Sequence, residues 1–438
     1  MAHNSHSIPW KVLASNFEYV AVNHNYDDIT NLYPRFKDSQ GKEISYFVQA
    51  FARAVQEHSS NERKKYPQHY DPPDLNEIIV SDDTVRRIGA TVSRWCARAF
   101  EFPTKPPQDT QALTAARRRV SAFLIQLSTN NWRHIYLDKE SFYNFELLKT
   151  LVLYGEMDPV FKICAHPDND LLSFWVQNRN FYTDRDDIGW EHIPKMAFKA
   201  YLCLNLLYCY PELWDEKSGR HAGNDYRSTK AYQQTLRECT FSGRVSRLAC
   251  YPHMQFFGIP ESHFSRYPRA RKGGKYAYTF PSSAHYPYGK MPIADFLKFE
   301  HLMPRMDSPS DVNSVHWMLR SQGLPTEIVL YVMELAEYFP SRRLEVEHDP
   351  LHPDNQEDLM KYLSYCWQLL LRCDMMAKEL GDQIPWDVLV SDCLVLLVGT
   401  DYKNHKRTRH NKRKMYEFEV NRDGTRLSMH EWQRYLFI

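Results

Sequence analysis

The chain has 438 residues, with 55 Lys and Arg against 54 Asp and Glu, a balance that argues against wholesale wrapping of nucleic acid. Its length allows several domains with sizeable cores, and its 43% apolar and 25% charged residues are typical of a globular rather than a disordered protein. Only 15 residues are glycine, about half the usual share of about 7%, which argues against glycine-rich phosphate loops and all-β folds.

Amphipathic helices are predicted along the first half of the chain. Between residues 44 and 58, apolar side chains recur at intervals of three and four, which places them on one helix face. The same spacing continues over 83–99 and again from about residue 110 to residue 127. Further helices are predicted at 140–154, 170–178, 194–210 and 228–239.

The pattern changes at residues 240–290. Prolines and aromatic residues accumulate there, and the pair Gly273 and Gly274 adds a turn signal. The sequence therefore predicts an irregular segment, which we take as the boundary between an N-terminal helical domain (1–239) and a C-terminal one (291–400).

Helices are predicted again in the last third of the chain, at 292–303, 310–321, 325–338, 355–380 and 385–398. We expect Asp354 and Glu357 to form a capping box at the start of the longest helix. Residues 401–438 form a tail with ten Lys and Arg against five Asp and Glu. The fold class predicted from these elements is mostly α, with two helical parts joined by an irregular segment.

Nine cysteines are widely spaced, and most occur within apolar helical stretches. They are typical of reduced, buried thiols. The sequence contains no CxxC pair, which argues against the usual zinc and redox sites. The first ten residues lack a secretory signal, and the longest apolar run, about 200–211, is too short to span a membrane. We therefore expect a soluble protein of the cytoplasm, the nucleus or both, without a membrane partner.

Two acidic runs offer a possible metal chemistry. Residues 186–191 (DDIGWE) and 224–228 (NDYRS) resemble the two metal-binding motifs of terpenoid cyclases, in which carboxylates hold magnesium against a diphosphate. Tyr232 stands where the closing glutamate of the second motif belongs. The resemblance implies an enzyme with an aromatic pocket that acts on a small molecule, with Asp186, Asp187, Asn224 and Ser228 as candidate site residues. Surface loops and helix caps are the alternative interpretation.

Other enzyme signatures are missing from the sequence, including GxSxG, GxxxxGK[ST], HExxH and GxGxxG. Residues 348–354 (HDPLHPD) gather two imidazoles and two carboxylates, but Pro350 and Pro353 forbid a helix that would bring them to one face. A structural turn is the preferred interpretation. We expect no metal and no cofactor, and a non-enzymatic protein is favoured.

Two basic segments suggest anion contacts. Residues 403–414 are dense in cations, typical of a nuclear-import signal or a phosphate-binding strip, and the residues concerned are Lys406, Arg407, Arg409, Lys412, Arg413 and Lys414. Residues 266–280 place cations beside aromatic rings, a combination used to bind single-stranded nucleic acid. The candidate contacts there are Arg269, Arg271, Lys272, Tyr276 and Tyr278. Nucleic-acid binding is therefore a further alternative. The other interpretation is that these segments are exposed loops without a binding role.

A partner-binding helix is predicted at residues 323–335 (GLPTEIVLYVMEL). Pro325 suits a helix start, and Ile328, Val332 and Leu335 then share one face. The segment resembles the opening of an F-box, whose first helix docks on the adaptor subunit of a ubiquitin ligase. The resemblance implies a partner-binding role for Leu324, Pro325, Ile328, Val332 and Leu335.

A longer stretch, 324–386, resembles a C-terminal segment of proteins from filamentous fungi, with the runs PLHP at 350–353 and YCWQL at 365–369. That resemblance implies an intracellular eukaryotic protein and no particular activity. We therefore predict a non-enzymatic interaction or regulatory protein with a protein partner, with nuclear import as an option.

Overall fold

The computed structural model describes residues 8–21, 30–35, 39–99, 113–124, 139–172, 192–240, 248–258, 307, 309–336, 338 and 343–398. Its helices are α1 (Trp10–Ala14), α2 (Gln40–Arg63), α3 (Asp82–Ala99), α4 (Lys139–Tyr154), α5 (Met157–Ala165), α6 (His192–Tyr208), α7 (Lys230–Thr240), α8 (Tyr251–Phe257), α9 (Pro309–Ser321), α10 (Thr326–Leu335), α11 (Gln356–Glu379) and α12 (Trp386–Val398). Strands β1 (Phe17–Val20) and β2 (Asn31–Pro34) pair antiparallel, with Phe17 opposite Pro34. The fold is mostly α, as predicted.

Helix α11 is the centre of the core. It packs against α2, α5 and α6, which all precede residue 240 in the sequence. Its Trp367 ring lies 5.8 Å from Phe51 of α2 and 5.4 Å from Tyr201 of α6. The described residues on both sides of 240–290 therefore contribute to one hydrophobic core.

One predicted helix needs correction. The helix predicted from about residue 110 to residue 127 is described at residues 113–124, and there the chain forms two short 3₁₀ turns, at 116–118 and 120–122. Their backbone pairs instead with the segment before α3, where Val120 N donates to Glu77 O and Ile79 N donates to Arg118 O. Such long-range backbone bonds replace the helical ones.

The predicted irregular segment is described only at residues 240 and 248–258. Within it, α8 is a regular helix that ends at Gly258 in the left-handed region, with φ of 66°. The aromatic residues there are core material, since Phe256 stacks on Tyr362 of α11 at 3.7 Å. The rest of 240–290, and the tail 401–438, lie outside the described residues.

Candidate functional site

Helices α9 and α10 form a hairpin, hereafter the α9–α10 hairpin. Gly323 ends the first helix with φ of 85°, and its N–H donates to Arg320 O. Pro325 then fixes the backbone just before α10, as the sequence predicted. The two helices pack against each other. The predicted partner-binding segment is therefore a helix that a tight turn joins to α9.

The outward side of α10 is apolar. Val329 and Met333 are its buried residues, and they do not belong to the main core cluster. On a side turned about 130° from them, within an arc of about 100°, lies an exposed set that we call the outer stripe. Its members are Ile328, Tyr331, Val332 and Leu335.

The outer stripe includes three of the five residues that the sequence singled out. Leu324 and Pro325 lie in the preceding turn and are exposed as well. Tyr331 was missed, although its position three residues after Ile328 puts it on the same face. A helix that is apolar on both sides is normally buried, and a contiguous exposed apolar patch marks an interaction site.

Helix α9 carries a shallow groove of its own. Trp317 is 68% exposed, and Met318 beside it is also exposed, although neither was predicted as a site residue. The groove has a volume of about 640 Å³ and is lined by Pro309, Ser310, Asn313, Ser314, Trp317, Met318 and Glu345. An aromatic anchor beside a polar rim is the composition expected of a protein-binding surface.

The acidic run 224–228 has a structural role. Asp225 accepts hydrogen bonds from Arg220 (2.9 Å) and Arg227 (2.9 Å), so its carboxylate is already neutralised. Asn224 donates its side-chain N–H to the backbone of Glu212 at 2.7 Å. Asp186 and Asp187 lie outside the described residues. Nothing in the described part of the run therefore leaves a carboxylate free for a metal ion.

The turn at 348–354 is structural, as the preferred interpretation had it. Asp349 is buried and accepts bonds from Arg220 (2.6 Å) and from the Tyr226 hydroxyl (2.8 Å). Burial and the nearby Asp349 carboxylate hold the pKa of Tyr226 well above its ordinary value, which keeps it a donor. We call this ion-pair group the Asp349 network; its members are Arg220, Asp225, Tyr226, Arg227 and Asp349.

The predicted capping box at the start of α11 is wrong. Asn355, not Asp354, occupies the cap position, and its side chain bonds instead to the backbone of Val346 and Asp349. Glu357 pairs with Lys361 one turn later rather than reaching back. The buried Asn355 side chain therefore fastens the preceding turn to the start of the helix.

Burial raises the pKa of most of the cysteines, which disfavours a role as nucleophiles. Seven of the nine are buried and none forms a disulfide. Burial raises the pKa of Cys203 to about 12 and that of Cys209 to about 11. A thiol with a raised pKa stays protonated and unreactive. Within the described ranges, no group of three or more His, Cys, Asp or Glu side chains is placed to hold a metal ion.

One buried imidazole has an unusual environment. His253 Nδ1 lies 2.6 Å from the Tyr362 hydroxyl, whereas its Nε2 has no hydrogen-bond partner among the described residues. Burial lowers the pKa of His253 to about 3, so the ring is neutral at physiological pH. Because it is buried and packs edge-on against the Tyr362 ring, we assign it to the core.

The basic residues proposed for anion contacts fall outside the described part of the chain. This applies to Arg269, Arg271, Lys272, Tyr276 and Tyr278, and to Lys406, Arg407, Arg409, Lys412, Arg413 and Lys414. Their roles stay predictions. As for membranes, none of the helices in the described ranges combines the length and apolarity that crossing a bilayer requires.

Comparison with known proteins identifies a family. Residues 11–415 match the family described as gramillins biosynthetic cluster protein GRA5. The match supports the predicted likeness to proteins of filamentous fungi. No curated protein and no solved structure matches the chain.

Proposed function

Because the chain belongs to the gramillins biosynthetic cluster protein GRA5 family, we propose that it acts in a fungal biosynthetic cluster as a non-enzymatic interaction or regulatory protein. The observation that carries the proposal is the outer stripe of α10, whose apolar side chains face solvent. Covering such a stripe with a partner removes apolar surface from water and supplies the free energy of association.

A single charge on the stripe tests the proposal. Ile328 is 46% exposed, and Ile78, outside the hairpin, is 47% exposed, so the two positions are matched in residue and exposure. The tagged full chain and its Ile328→Asp and Ile78→Asp variants are used to capture proteins from an extract of a fungus that carries the cluster. Quantitative mass spectrometry of each eluate then measures recovery.

We expect Ile328→Asp to lose a specific partner that both the native chain and Ile78→Asp retain. A hot-spot substitution costs about 2 kcal/mol or more, which is about a 30-fold loss of affinity. Identical partners for all three proteins would refute the proposal. Circular dichroism of each variant confirms that the helices are intact.

An F-box-type function is the finer form of this proposal. It is supported by the helix that starts directly after Pro325 and by the exposure of Leu324, Ile328 and Leu335. Its test is direct mixing of the purified chain with the adaptor subunit of a ubiquitin ligase. Failure to form a complex removes the F-box version and leaves docking of another partner in place.

Nuclear import belongs to the same proposal and rests on the basic run within 403–414. A fluorescent fusion of the full chain should accumulate in the nucleus, and neutralising Lys412, Arg413 and Lys414 together should return it to the cytoplasm. Unchanged distribution after that substitution would show that the run does not direct import.

A further inference from the structure

The outer stripe has an acidic edge. Glu327 and Glu334 are seven residues apart, so they lie about 10.5 Å from each other along the axis of α10 and on nearly the same side of it. Both lie on the same side of Tyr331, rotated from it by about 40° and about 60° around the helix axis. The opposite edge carries Ala336 and no charge, and residues 326–335 include no Lys or Arg.

Within the described ranges, both carboxylates are free of partners. Both side chains are exposed, and neither has a hydrogen bond or an ion pair with any described residue. Over the whole hairpin, residues 309–335, three acids (Asp311, Glu327 and Glu334) outnumber one arginine (Arg320), which gives a net charge of −2. Glu345 adds another acid where it lines the groove beside Trp317.

This charge pattern discriminates among occupants of the stripe. In an antiparallel pairing of two copies, the acidic edges would face each other, and in a parallel pairing each would face the uncharged edge. A symmetric dimer through α10 therefore brings no cation to Glu327 or Glu334. An anionic membrane surface would repel them as well.

We propose that the outer stripe binds an amphipathic helix of another protein, whose apolar face is bordered on one side by Lys or Arg residues seven positions apart. This inference rests on the proposed function, since it takes the stripe as the docking site. The apolar faces supply affinity, while the two cations opposite Glu327 and Glu334 set orientation and exclude acidic helices.

A charge-swap experiment tests the inference. Two fluorescent synthetic peptides share an apolar stripe at positions i, i+3, i+4 and i+7, and carry either two Lys or two Glu seven residues apart along its edge. Each peptide is titrated with the native full chain, with the double variant Glu327→Lys/Glu334→Lys, and with Ile328→Asp. Fluorescence anisotropy gives the dissociation constants at low and at high salt.

The native chain should prefer the basic peptide by about tenfold at low salt, and the double variant should prefer the acidic one by a similar factor. High salt should shrink both preferences, because exposed charges are screened. Ile328→Asp should weaken both peptides alike. A preference that fails to invert in the double variant would overturn the proposed partner chemistry.

Other outcomes separate this inference from the proposed function. Binding of neither peptide, while Ile328→Asp still removes a partner from the extract, overturns the basic helix and leaves docking intact. Stripe-dependent dimers in sedimentation equilibrium, or stripe-dependent binding to phosphatidylserine vesicles, also overturn it. If Ile328→Asp changes neither peptide binding nor recovery, the proposed function itself fails.

Discussion

Removing Asp349 should destabilise the protein more than any single surface substitution. Its carboxylate neutralises Arg220 at 2.6 Å and accepts a bond from Tyr226 at 2.8 Å. The side chains of Arg220 and Asp349 are only 6% and 5% exposed, so water does not replace the lost partner. In Asp349→Ala, two buried guanidinium groups would share the single carboxylate of Asp225.

The expected magnitude follows from that uncompensated charge. Breaking a buried ion pair by removing one partner costs about 3–5 kcal/mol, whereas a domain has about 5–15 kcal/mol in total. We therefore expect Asp349→Ala to lose a large part of its free energy of unfolding. The double variant Arg220→Met/Asp349→Leu leaves the pair of Arg227 and Asp225 neutral, and should be more stable than Asp349→Ala.

Urea unfolding followed by circular dichroism measures these differences. Glu357→Ala, which breaks an exposed pair with Lys361, serves as the control and should leave the midpoint nearly unchanged. A loss below about 1 kcal/mol for Asp349→Ala would refute the structural role of the 348–354 turn. So would a double variant no more stable than the single one.

Two further stability predictions concern His253 and Gly155. Burial lowers the pKa of His253 from 6.5 to about 3, so between these values the unfolded chain binds a proton that the folded chain does not. The free energy of unfolding should therefore decrease as the pH is lowered, by about 2 kcal/mol from pH 6 to pH 4.5, and the decrease should be smaller in His253→Gln. Equal slopes of unfolding free energy against pH for the two proteins, measured in urea, would contradict this. Gly155 and Gly381 both have left-handed φ, 79° and 73°, but only at Gly155 would a Cβ lie 2.7 Å from the Arg372 guanidinium. Arg372 donates to the backbone oxygens of Val152 and Leu153, and displacing it would break these bonds. Gly155→Ala should thus cost about 1–3 kcal/mol more than Gly381→Ala in thermal or urea unfolding, and equal losses would show that Arg372 moves freely.

Periodicity predicted the helices well because burial on one face is the property that the pattern records. The stripe over 83–99 belongs to α3 (Asp82–Ala99), and its Ile88, Val92 and Trp95 are fully buried. The longest predicted helix, 355–380, is likewise found as α11. In both cases, the local sequence and the tertiary environment favour the same structure.

Long-range backbone pairing could not be predicted in the same way. Residues 113–124 have helical spacing, with Val120 and Phe123 buried, yet the chain there bonds to residues 75–80. Strands β1 and β2 are four residues each, too short for a strand pattern to emerge. Asn31 of β2 is fixed by Leu397 O and Ala231 N, which lie far away in sequence.

The candidate site was predicted only in part. The spacing placed Ile328, Val332 and Leu335 on one face of a helix, but spacing alone does not tell whether that face meets core or solvent. Tertiary structure decides this point, since Val329 and Met333 are the residues of α10 that are buried. Trp317 was not predicted because its importance depends on the groove beside it.

The polar clusters illustrate the opposite case. Carboxylates at 224–228 and imidazoles at 348–354 suggested separate chemistries in the sequence. In the structure, Asp225 and Asp349 belong to a single buried network of ion pairs. No local pattern could show that Arg220 links the two, because Asp225 is five residues from Arg220 whereas Asp349 is 129 residues away.

Docking through the outer stripe is tested most directly by comparing two tyrosines. Tyr331 on the outer stripe is 58% exposed and Tyr46 on α2 is 57% exposed, so truncating either removes a similar apolar surface from contact with water. We predict that Tyr331→Ala weakens the captured partner's affinity, measured by calorimetry, by about 30-fold, while Tyr46→Ala changes it by no more than about twofold. Equal affinities for the two variants would contradict it.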